Sequence, residues 1–158
     1  MTIRKLFFSI LTVALLFVAT GCDSNDDDDS DADVFVGTWT VQSIADDEGD
    51  KTAIFGAGVQ SFVATLNADG SYTILVDYNA AAESQGAVDR NLAGNYTVTE
   101  SANSVVLSVT SLGASIPLTY DIQNNNTIAL TGQALLINQA FGTTTYTGTV
   151  VLTITRVS

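Results

Sequence analysis

Cys22 carries the only thiol in the chain, and no histidine is present to deprotonate it. Nucleophilic catalysis by sulfur or hydroxyl needs an adjacent base, and zinc sites need clustered cysteine and histidine, so neither chemistry can be assembled here. Carboxylates are the abundant reactive group. Asp46, Asp47, Glu48 and Asp50 crowd together, but in a polar stretch with no apolar neighbours to raise a pKa, so they read as a solvated face. Residues 23–33 hold seven aspartates in eleven positions, yet lack the spaced ligands and turn glycine of a calcium loop. No enzyme, cofactor or metal is expected. These residues can support a modified sulfur at Cys22 and non-covalent binding through aromatic rings and hydroxyls.

The segment that positions Cys22 has a clear layout. Arg4 and Lys5 precede an almost wholly apolar run, residues 6–19, and small residues then lead to the cysteine. Spanning a bilayer takes about 20 apolar residues, so this shorter run predicts a signal peptide over residues 1–21 and not a membrane span. Ala19-Thr20-Gly21-Cys22 resembles the lipobox of bacterial lipoproteins, with alanine where leucine is usual. That resemblance implies an acylated Cys22 as the mature N-terminus and a lipid anchor in the bacterial cell envelope, at the periplasmic face or surface of the outer membrane. Each buried CH₂ of an acyl chain adds about 0.8 kcal/mol of membrane affinity.

Beyond the anchor, residues 22–33 are expected to form a disordered acidic tether, because like charges repel and there is no apolar surface to bury. Fully stretched it reaches about 35 Å. An acidic run directly after a lipidated cysteine also resembles the export signal of some surface-exposed lipoproteins. Cleavage removes Arg4 and Lys5, leaving Lys51, Arg90 and Arg156 against 17 acids, a charge of −14; with seven acids in the tether, the domain carries −7. Nucleic acid, whose binding needs a basic surface, is excluded as a partner.

Residues 34–158 read as one all-β domain. Residues 34–44 predict a first strand with Phe35, Gly37, Trp39 and Val41 on its inward face. Residues 45–58 predict a long connection able to fold over one mouth. A hairpin follows, 59–67 and 71–78, with Asp69-Gly70 supplying the positive backbone angles of its turn. After a loop with a short helical turn over 79–91 come strands at 92–100, 104–112, 116–123 and 127–132, with Pro117 expected near a strand start or an edge. Residues 133–142 fit either a strand extension or a plug. A last strand over 143–157 turns Tyr146, Val150, Leu152, Ile154 and Arg156 inward. Eight strands with short connections predict an antiparallel up-and-down β-barrel; a two-sheet sandwich is the rival, since alternation does not show whether first and last strands pair.

Gly37-x-Trp39 on the first strand with Arg156 on the last resembles the signature of lipocalin-like (calycin) barrels, and the stretches FVATLNADGSYTI and GNYTV are similar to bacterial lipocalin-like lipoproteins. The resemblance implies that Trp39 closes one end of the barrel beneath Arg156, both residues being structural. It also implies a cavity for a small apolar or amphipathic ligand, lined by Phe62, Tyr72, Ile74, Val76, Tyr96, Tyr120 and Tyr146. The alternative is a filled core, with the domain acting as an envelope protein-interaction module through the loops 45–58 and 133–142 and their Phe55 and Phe141. A cavity wide enough for a ligand discriminates the two.

Overall fold

The structure, a computed structural model, describes residues 30–157; the signal segment, Cys22 and the acidic run up to Asp29 lie outside the described residues. In chain order the elements are α1 (Asp31–Phe35), β1 (Gly37–Asp46), β2 (Gly49–Asp50), α2 (Thr52–Gly58), β3 (Val59–Leu66), β4 (Ser71–Tyr78), α3 (Ala80–Glu83), β5 (Arg90–Thr99), β6 (Ser104–Val109), β7 (Ala114–Asn124), β8 (Thr127–Gln133), α4 (Ala134–Phe141) and β9 (Thr149–Arg156). Among the described residues no helix is long and apolar enough to cross a membrane.

Each strand from β3 to β9 pairs antiparallel with its neighbour in sequence, β3 pairs with β1, and β9 closes back onto β1 from Trp39↔Arg156 to Ala45↔Val151. The result is the expected eight-stranded up-and-down barrel, with the two-residue β2 added to the end of β1. That closure excludes a sandwich and removes most free edges. Among the eight barrel strands the seam between β1 and β3 is the shortest ladder, three residue pairs, extended by Thr40 Oγ1 donating to the Phe62 carbonyl at 3.1 Å.

Several local expectations are corrected. Val34 and Phe35 are not strand: with Asp31 to Asp33 they form α1, so regular structure begins inside the expected tether. The cause is local, since the Ser30 side chain caps the Asp33 amide and two aspartates favour the positive end of the helix dipole. Alternation also fails along β1. Trp39 is fully buried, but a register shift between Val41 and Ser43 inserts one residue, so Ile44 becomes the next fully buried side chain. In the β3–β4 turn only Gly70 has a positive φ, +80°; Asp69 serves instead through its carboxylate, which accepts from the Ser71 amide at 2.9 Å and hydroxyl at 2.6 Å.

Residues 143–148 are a loop and not the start of the last strand. The ambiguous stretch 133–142 is mainly the helix α4, and 45–58 contains α2, so both connections cover the same end of the barrel. Pro117 lies within β7, but before the ladder to β8 begins at Thr119, so its missing donor faces an unpaired stretch.

Candidate functional site

Three regions could act on other molecules: the end closed by Trp39, the barrel interior, and the end covered by helices. At the first, Arg156 Cζ lies 4.5 Å from the Trp39 ring centroid. Its guanidinium donates to the carbonyls of Val36 at 2.6 Å, Val34 at 2.8 Å and Asn125 at 3.2 Å. Trp39 Nε1 donates to the Phe35 carbonyl at 2.8 Å. Gly37 is required beside them, because a Cβ there would collide with the guanidinium. Phe35 meets Tyr120 edge to face at 5.1 Å, and Tyr120 donates to the Asp31 carboxylate at 2.6 Å. Burial and that neighbouring carboxylate push the Tyr120 phenol well above its ordinary pKa. Every polar group of the cluster is engaged within the protein. This end is a structural seal in which Gly37, Trp39 and Arg156 meet.

The interior leaves a cavity of about 60 Å³ with a wholly apolar wall. Of the seven residues expected to line it, Phe62, Tyr72 and Ile74 do so. Val76 and Tyr96 are buried in the core without facing it, and Tyr120 belongs to the seal. The tyrosine hydroxyls do not serve as polar anchors there: Tyr72 donates to the Ser108 carbonyl at 3.4 Å and Tyr96 to the Asn67 carbonyl at 2.9 Å. Most of the lining was not among the residues expected, including strand residues such as Leu92, Val105 and Leu118. The same holds for Phe35, read as an inward strand residue, and Phe141, read as a loop residue, both of which sit on helices that stop the two ends.

At the other end Phe55, Phe62 and Phe141 form a mutual aromatic cluster with centroids 6.0 to 6.5 Å apart. Tyr78 fixes it by donating to the Phe141 carbonyl at 2.8 Å. Phe141 is buried and Phe55 half-buried, so the apolar side chains these segments present to solvent are instead Ile54 and Leu135. Outside the plug, α2, α3, α4 and the loop 143–146 enclose an open cleft of about 560 Å³. Tyr146, expected on a strand facing inward, lies on this loop and lines the cleft. Asn138 on α4 holds it there through both amide atoms, to the Tyr146 carbonyl at 2.8 Å and amide at 3.1 Å. Burial, with Tyr78 and Asp46 nearby, pushes the Tyr146 phenol up to about 12, so it stays neutral at physiological pH.

The acidic cluster is structural. Asp46, whose side chain has no exposed surface, accepts from the Thr147 amide at 3.0 Å and the Glu48 amide at 2.9 Å. Asp47 accepts from the Thr149 amide at 3.1 Å. These carboxylates pin the entry of β9 to the end of β1. Among the described residues no three acids, cysteines or histidines converge as a metal site.

Fold and site together define a class: a closed antiparallel eight-stranded β-barrel, stopped at one end by an arginine–tryptophan seal and at the other by two helices. The chain matches no protein-family model and no curated protein.

Proposed function

We propose that this chain is a lipid-anchored lipoprotein of the bacterial envelope, held in the outer membrane through Cys22, whose barrel is a filled scaffold that works through its outer surface as an interaction module. The observation that carries the reading is the interior volume. A cavity of about 60 Å³ is less than half the roughly 150 Å³ that holds a benzene ring, and ligand pockets run from about 300 Å³ upwards. Helices stop both ends, so access to the interior would require unpacking Phe35 or Phe141. Kinship with lipocalin-like barrels is part of the proposal, supported by the stacking of Arg156 on Trp39 across the closing strands.

Native mass spectrometry of the full-length protein from its own envelope extract tests the filled scaffold. The expected mass is the acylated chain alone; an apolar adduct retained until denaturation would instead establish an internal carrier. Photo-crosslinking residues at Ile54 and Leu135, 55% and 75% exposed, test the interaction reading, which expects a discrete cross-linked envelope protein and is overturned if both positions give only the monomer. The Cys22→Ser variant should leave the membrane fraction, and retention there would sink the anchor.

A further inference from the structure

We propose that the cleft over the helix-covered end is a binding site for a small neutral hydroxylated ring, a saccharide unit, read by the hydroxyl of Tyr146. Of the five tyrosines, four have hydroxyls engaged within the protein: Tyr72 with Ser108, Tyr78 with Phe141, Tyr96 with Asn67 and Tyr120 with Asp31. The Tyr146 hydroxyl makes no hydrogen bond to any described residue, although the residue is only 6% exposed and lines the cleft. It is not among the fully buried polar atoms that lack a partner, so solvent reaches it, and a ligand in the cleft that Tyr146 lines can take the place of that water. The loop that carries this hydroxyl is not adventitious, since Asn138 fixes the Tyr146 backbone at both its amide and its carbonyl.

The walls specify the class of ligand. Although the domain is strongly acidic, no charged residue lines the cleft, and the charges behind its walls are of both signs, Arg90 packed against Gly142 and Asp89 at the Tyr78 amide, so neither a cationic nor an anionic ligand gains a dedicated counter-charge for its lost hydration. Aromatic rings of Phe55, Tyr78 and Tyr146 supply an apolar face, while Gln85, Gln139 and Thr144 supply amides and a hydroxyl. A pyranose has the matching duality, with C–H groups on its faces and hydroxyls around its edge. The cleft, about 560 Å³, falls within the range of small-molecule sites, unlike the barrel interior. The assignment does not rest on the anchor at Cys22 or on a protein partner.

Saturation-transfer NMR on the full-length acylated protein in lipid nanodiscs, with maltose, cellobiose and N,N′-diacetylchitobiose as probes, tests the site. Transfer to the ring protons of at least one sugar is expected at millimolar concentration, with no change in Trp39 fluorescence at the opposite end. Tyr146→Phe removes a single hydroxyl and should weaken that binding about three- to tenfold, the range of one hydrogen bond, while Tyr120→Phe leaves it unchanged. Gln139→Ala, at an exposed position on α4, should weaken it independently of loop packing. No transfer from any of the three sugars, or equal affinity in Tyr146→Phe, overturns the proposal. Binding of benzoate or butanol in place of all three sugars would overturn the saccharide class.

Discussion

Arg156 and Trp39 are direct register partners across the strands that close the barrel, and the guanidinium of one lies 4.5 Å from the ring centroid of the other. The same guanidinium holds the carbonyls of Val34 and Val36, so one side chain ties barrel closure to the docking of α1. Arg156→Ala removes a partly desolvated cation–π contact and leaves those carbonyls without their donor. The expected loss is about 2 to 4 kcal/mol, read as a lower urea midpoint by Trp39 fluorescence. Arg156→Lys should recover less than half of it, because an ammonium cannot reproduce the planar fork.

Phe35 stops one end of the interior and lines the residual void. Phe35→Ala should destabilise by about 3 to 5 kcal/mol and join the ring's volume to the existing cavity of about 60 Å³. Binding of benzene or xenon, absent in the parent protein, should then be measurable by NMR. A variant that loses stability without gaining such binding would mean that α1 collapses into the space.

Alkaline stability should be controlled by the buried tyrosines. The Tyr146 phenol titrates near 10.0 when unfolded and at about 12 when folded, and the folded Tyr120 phenol is also raised. A raised folded pKa gives stability that is fully present below pH 10 and is lost as pH climbs through the folded value. Urea midpoints should therefore hold level up to about pH 10 and fall towards pH 12, and Tyr146→Phe should make that fall shallower.

The acid side works in the opposite sense. Burial opposes ionisation of Asp46, but hydrogen bonds from the Thr147 and Glu48 amides and the charge of Lys51 outweigh it and hold its pKa below 3.8. Asp69 is likewise lowered, by the Ser71 hydroxyl and amide. Their contribution is present above the unfolded value and is lost as pH falls below about 3.8. Asp46→Asn should lower the midpoint at pH 7 and flatten its decline below pH 4, and it should speed hydrogen exchange at the Thr147 amide.

Strand periodicity is a local property, and the β3–β4 hairpin, β6 and β7 follow it because each buries alternate side chains on one face. The closing pair was anticipated only through the resemblance that Gly37, Trp39 and Arg156 carry, because periodicity does not show whether first and last strands pair; the structure places Trp39 opposite Arg156. Less could be read where one residue changes parity. The shift at Val41 to Ser43 exchanges which side chains of β1 face inward, and no residue type announces it. The acidic run hid α1, since capping by Ser30 and docking through Trp39 and Arg156 outweigh the repulsion that argued for disorder there.

Composition, charge and periodicity by themselves determined an all-β, acidic domain without histidine, because each of these is a sum over residues or a local pattern. The volume left inside, the folding of α2 and α4 over one end, and the placement of Tyr146 in an outer cleft were decided by the tertiary structure alone. Those are differences between the space the strands enclose and the side chains that fill it, and they depend on contacts between residues far apart in the chain.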